Sequence, residues 1–97
     1  MWISEFGRTP VINPNAGRDH FPAAWSCAFA GGGIRGGQAY GRTSADGMTV
    51  EENEVAIGDV LATLCAALGV PPDRENITPS KRPIKIAEGN PIRDILA

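Results

Sequence analysis

The stretch "IGDVLATLCAALGVPP", Ile57 to Pro72, decides how the rest of the chain is read. Val60, Leu61, Leu64, Cys65 and Leu68 recur at helical spacing and make one apolar stripe. Ala62, Ala66 and Ala67 favour helix, and Asp59 in the first turn suits the helix dipole. Gly69 supplies a left-handed stop, and Pro71-Pro72 prevents continuation. The pattern predicts a helix over 57–68 whose stripe must pack on something.

Working outward, only short strands are on offer. Met1 to Ile3 reads as the end of a buried strand, Trp25 to Ala30 as a second strand buried on both faces, and Gln38 to Tyr40 as a third. Asp46-Gly47 is a tight-turn signal, with Met48 to Val50 returning from it. Residues 73–81 are polar and read as loop; Ile84 to Ile86 alternate like a small edge strand; Ile92 to Leu96 make one helical turn with Ile92, Ile95 and Leu96 inward. Taken alone, the chain is expected to be one α+β domain over 1–97, a small mixed sheet packed by one main helix.

Composition sets the bounds. The 97 residues suffice for one small domain with a modest core. Net charge is −2 with Lys and Arg scattered, so there is no electrostatic footprint for nucleic acid. No apolar run approaches the roughly 18 residues of a membrane span, and no basic region leads into an apolar one as in a signal peptide. Cys27 and Cys65 sit in apolar surroundings and read as buried thiols, a single bridge remaining open. With no Cys-x-x-Cys, a structural zinc site is not expected.

The chemistry-bearing residues lie in "SEFGRTPVINPNAGRDH", Ser4 to His20. Gly7, Pro10, Pro14 and Gly17 break regular structure, and a loop this long in a compact domain tends to be functional or disordered. Glu5 lies just past the first strand, at the kind of edge where ligands gather in open α/β sheets. Arg8 follows, and then Arg18, Asp19 and His20. A carboxylate with a neutral imidazole can ligate a divalent cation, and a guanidinium can hold an anionic ester. Glu5 and His20 are thus candidate metal ligands, and Arg8 and Arg18 candidate anion contacts, although two donors are fewer than a closed site needs. The competing reading is that these groups are solvated or paired with one another. The run Gly31 to Gly37 lacks the Lys-Ser/Thr of a nucleotide loop and reads instead as sharp turns with close backbone packing.

Five motifs occur in order: "SEFGRTP", "GRDH" followed by an aromatic, "AGGGIRGGQAYG", "DVLATLCAALGV" and "GNPIRDIL". Together they resemble the C-terminal end of the domain-of-unknown-function family numbered 1501, sulfatase-like proteins related to the alkaline phosphatase superfamily. The resemblance implies an α/β fold with a mainly parallel sheet between helices, longer than this chain. Nucleophile and first acidic ligands would come from an N-terminal half, and Met1 to Ile3 would be the remainder of a core strand. In the superfamily the strand before this loop ends in an Asp-His ligand pair. Glu5 and Phe6 stand in that place, and His20 stands where a later ligand His is expected. The cofactor implied is a divalent metal in the full-length context (zinc, manganese or calcium), with none tightly bound by this chain. Parent proteins of this kind resemble exported bacterial proteins.

Two functions follow as expectations. One is the C-terminal piece of a metal-dependent phosphate or sulfate ester hydrolase, inactive alone because no activated nucleophile is identifiable. The other is a non-enzymatic interaction module or remnant. A strand cut to Trp2 and Ile3 leaves an exposed edge, so self-association is the partner expected, with no nucleic acid and no membrane.

Overall fold

The computed structural model describes residues 1–97 and has the α+β character expected of the chain taken alone. Its strand content is three separate two-stranded antiparallel ribbons. They are β1 (Gly7–Arg8) with β2 (His20–Phe21), β3 (Arg42–Thr43) with β4 (Val50–Glu52), and β5 (Glu75–Ile77) with β6 (Pro83–Lys85). One helix, α1 (Ile57–Ala67), and one 3₁₀ turn (Arg93–Ile95) complete the elements. The chain divides into two compact units, Met1–Phe29 with Ala39–Glu54, and Ala30–Gln38 with Val55–Ala97.

In the first unit the loop from Ser4 to Phe21 closes as a long hairpin. β1 and β2 pair with Gly7 opposite Phe21 and Arg8 opposite His20. The ladder continues through Thr9 N–H to Asp19 O at 3.0 Å and Asn13 N–H to Gly17 O at 2.8 Å. Gly7 is required here: a Cβ at this position would lie 2.6 Å from Trp25 Cβ and 2.7 Å from Ala24 O. Two strand expectations are corrected. Met1–Ile3 and Trp25–Ala30 contribute only an isolated antiparallel bridge between Trp2 and Ala28, and Trp2 is 78% exposed. The residues on this run are half-buried or exposed, so no strand here is buried on both faces.

The turn expected at Asp46-Gly47 forms, with Gly47 at φ 74° and its N–H on Ser44 O. Asp46 Oδ1 accepts from Ser44 Oγ at 2.6 Å and from Met48 N–H at 3.1 Å. The flanking strands start later than the sequence suggests, at Arg42 and Val50, where Arg42 bonds Glu52 across the ribbon. The bonds from Ser44 and Met48 pull the carboxyl of Asp46 below the usual carboxylate range.

In the second unit α1 spans Ile57–Ala67, within a residue of expectation. It ends in a Schellman turn: Gly69 at φ 73° donates to Ala66 O, and Val70 N–H reaches back to Cys65 O at 2.9 Å. The buried face differs from the expected stripe. Val60, Ala62 and Thr63 are buried, Leu64 and Cys65 are half-buried, and Leu61 and Leu68 are exposed. The cause is close packing against residues 87–95. Gly58 lies on the backbone of Glu88, where a Cβ would meet Glu88 O at 2.3 Å. Asn90 N–H donates to Asp59 Oδ1 at 2.8 Å, and Ile92 N–H donates to Thr63 Oγ1 at 2.8 Å. Thr63 Oγ1 itself donates to Asp59 O. Small and polar residues therefore fix the rotation of the helix, and Leu61 and Leu68 turn outward.

Ala87 and Ile95 complete this core, so the expected inward turn at 92–96 stands with Ile95 as its anchor. Residues 75–77, read as loop, pair as β5 with β6. The Gly31–Gly37 run supplies turns, with positive φ at Gly31, Gly33 and Gly37. The backbone of Ala67 lies 2.8 Å from where a Gly33 Cβ would stand.

Candidate functional site

The hairpin from Ser4 to Phe21 carries all four predicted site residues. Its shape is set from the tip. Asn13 Oδ1 accepts from Asn15 N–H and Gly17 N–H, both at 3.0 Å, while its Nδ2 donates to Asp19 Oδ1. Asn before Pro14 and a later Gly make this kind of side-chain-capped turn. Thr9 Oγ1 donates to Val11 O and accepts from Asp19 N–H. Asn13, Thr9 and Asp19 thus hold the two limbs in register.

The arginines are built into the same frame. Arg18 donates from one terminal nitrogen to Thr9 O at 2.8 Å and Pro10 O at 2.7 Å. Arg8 donates to Arg18 O at 3.1 Å. Each guanidinium has five N–H groups, so these bonds orient the forks and leave N–H groups over for an anion. Neither arginine forms an ion pair; the ion pairs of the chain join Arg42 to Glu51 and Glu52.

The register brings Arg8 opposite His20. The His20 ring stacks on Phe6 with centroids 3.7 Å apart and planes 23° from parallel, and the Arg8 guanidinium lies 5.3 Å from the Phe6 ring centre. That is within reach of a cation–π contact. None of the hairpin's side-chain hydrogen bonds involves the His20 imidazole or the Glu5 carboxylate. Glu5, Arg8, Arg18 and His20 are all exposed. Phe6 is thus in contact with His20 on one side and within reach of Arg8.

A family model described as "Protein of unknown function (DUF1501)" matches residues 1–96. The chain belongs to this family. The DUF1501 match takes in the hairpin, the glycine run, α1 and the C-terminal turn alike. No curated protein and no solved structure matches the chain.

The donor set can be weighed against the metal that the resemblance implies. No three of His, Cys, Asp and Glu gather anywhere in the chain in a way that could hold an ion. Glu5 and His20 are chemically apt as donors to a borderline cation, but they are two where zinc sites take three or four protein ligands. As they stand in this chain they do not make up a site. The two cysteines add nothing: both are free and half-buried, and burial raises the pKa of the Cys27 thiol. No helix is long and apolar enough to cross a membrane.

Proposed function

We propose that this chain supplies part of the metal- and anion-facing site of an ester hydrolase of the sulfatase and alkaline phosphatase kind. One observation carries the reading: the β1–β2 register sets Arg8 opposite His20 on a braced hairpin, with Arg18 and Glu5 on the same limbs. Arg8 and Arg18 bind the anionic ester through the N–H groups that the backbone does not use. Glu5 and His20 are the donors offered to a divalent cation, which when bound supplies Lewis-acid polarisation of the ester oxygen. The nucleophile belongs to other residues. The Ser4 and Thr9 hydroxyls donate to the carbonyls of Phe6 and Val11, and neither hydrogen-bonds a carboxylate or an imidazole. Titrating inorganic phosphate and sulfate at low salt, while following the arginine Nε–H resonances, tests this. Millimolar binding that moves Arg8 and Arg18 and is lost in Arg18→Gln supports it. Unmoved resonances at the highest anion concentration contradict it.

The second reading, a non-enzymatic interaction module, is favoured by the exposed apolar residues, above all Trp2 at 78% and Leu68 at 71%. Trp2 is held by one bridge to Ala28, and its exposed ring is an apolar surface open to a partner. Under this reading the chain self-associates, and Trp2→Lys returns it to a monomer in sedimentation velocity. A monomeric wild type at high concentration excludes it.

A further inference from the structure

We propose that the outer edge of β5 is a docking edge for a second copy of this chain, the two β5 strands pairing antiparallel about Asn76 into a four-stranded sheet. The inference is independent of the hydrolase reading and uses none of its residues. β5 and β6 are exposed along their whole length, whereas a two-stranded ribbon is at best marginally stable by itself. The ladder shows which backbone groups are used. Thr78 N–H donates to Arg82 O at 3.0 Å and Ile86 N–H to Arg74 O at 2.9 Å, with Asn76 opposite Ile84 between them. The even-numbered residues of β5 therefore bond towards β6. By the alternation of an antiparallel pair, Glu75 and Ile77 turn their N–H and C=O groups the other way. No hydrogen bond within the chain takes those groups up.

The two edges of the ribbon are not alike. β6 presents Pro83, which has no N–H, and Lys85, whose charge discourages pairing; both are devices that blunt an edge. β5 presents complete peptide groups at Glu75 and Ile77, and the Ile77 side chain is 66% exposed. An edge of this kind takes up another strand, and β5 complements itself in a single register. Centred on Asn76, Glu75 of each copy lies opposite Ile77 of the other, Arg74 opposite Thr78, and Asn76 opposite Asn76. The outward N–H groups of each copy then meet the outward C=O groups of the other, and no charge directly faces its like. Lys85 stands opposite Glu75 on the ribbon's own side. Centring on Glu75 instead sets that carboxylate against its own copy, and centring on Ile77 sets Glu75 against Pro79, which has no N–H to give. The contact is isologous, so one substitution acts twice.

The test dilutes the full chain from millimolar to micromolar and follows it by NMR. The Glu75 and Ile77 amide resonances should move with concentration. A sample mixed from labelled and unlabelled chains should show an Hα–Hα contact between the Asn76 residues of two copies, the close approach of a pair that exchanges no hydrogen bonds. Ile77→Pro removes an outward N–H and no bond of the ribbon, and should weaken association about tenfold or more, since each dimer loses two donors. Ile77→Glu sets a carboxylate against Glu75 of the other copy and should also weaken it, whereas Ile77→Lys sets a cation there and should preserve it. In each variant the Asn76 and Ile84 amides should keep their dispersion, which shows that the ribbon itself is intact. Resonances that do not change with concentration would overturn the proposal. Association equally strong in Ile77→Glu and Ile77→Lys would overturn it as well. Association abolished by Trp2→Lys and untouched by the Ile77 variants would overturn it too, and would place the contact at Trp2.

Discussion

Replacing Gly58 by alanine should destabilise the chain, although helix propensity argues the opposite. Within a helix, Gly→Ala is ordinarily worth up to ~1 kcal/mol of stabilisation. Gly58 lies in the first turn of α1, and its φ is not in the left-handed region, so the backbone itself would welcome a side chain. The obstacle is the neighbouring chain: the new Cβ would sit 2.3 Å from Glu88 O and 3.2 Å from Glu88 C. These are backbone atoms that cannot rotate away, and Gly89 is equally close on the other side, its own Cβ position being 2.4 Å from Gly58 C. Relief requires moving the 88–90 turn off the helix, which loosens the Asn90 N–H bond to Asp59 Oδ1. Overpacking of this kind costs about 1–3 kcal/mol, and losing part of an exposed charge-assisted bond adds to it, so a net loss of about 1–3 kcal/mol is expected. Urea unfolding followed by far-ultraviolet circular dichroism measures it as a lower midpoint with unchanged slope. Gly36→Ala is the control: nothing lies within 4 Å of its Cβ position and its φ is not positive, so it should be neutral or stabilising by about 0.4–1 kcal/mol. A Gly58→Ala variant as stable as the wild type, or more so, would refute the close packing of α1 on residues 88–90.

Thr63→Val keeps the volume but removes the acceptor for Ile92 N–H, and should cost about 1–3 kcal/mol in the same assay, with Thr63→Ser recovering most of the loss; equal stability for the valine variant would show that the hydroxyl is dispensable. Asp46 has a folded pKa depressed by its bonds from Ser44 and Met48, so its contribution is fully present above the ordinary carboxylate pKa of about 3.9 and is lost as pH falls through the lower folded value. The Met48 amide should therefore titrate with a midpoint below that of a free carboxylate, and Asp46→Asn should abolish the step; a midpoint at or above the free value contradicts the bonding seen at the turn.

The parts of the fold that were legible are those fixed by local chemistry. Gly69 and Pro71-Pro72 gave the end of α1, and Asp46-Gly47 gave its turn, because positive φ and a missing N–H act within a few residues. The buried face of α1 was misread for a reason that periodicity cannot see. Large apolar side chains mark a stripe, but Gly58, Ala62 and Thr63 allow backbones to approach, and hydrogen bonds to Asn90 and Ile92 then set the rotation. β5 was missed because Glu75 and Asn76 carry no alternation, and its pairing with β6 follows from the Thr78–Arg82 turn, where Lys81 adopts φ 61°. In the site, residue types pointed to Glu5, Arg8, Arg18 and His20, but the Asn13 bonds at the tip and the Phe6–His20 stack needed the hairpin register. An Asn-Pro-Asn-x-Gly run was the one available signal for the tip.

The central claim is that Glu5 and His20 act as donors on one hairpin. Titrating zinc into the chain while following the His20 ring and the Gly7, Arg8 and Phe21 amide resonances tests it most directly, with Glu5→Gln and His20→Gln as controls, the latter read from the amides. Two donors predict weak, saturable binding that shifts the His20 ring, weakens in Glu5→Gln and disappears in His20→Gln, and that protons compete away as the pH is lowered. A ring that does not respond even at millimolar zinc contradicts the claim. So does tight stoichiometric binding that survives both substitutions.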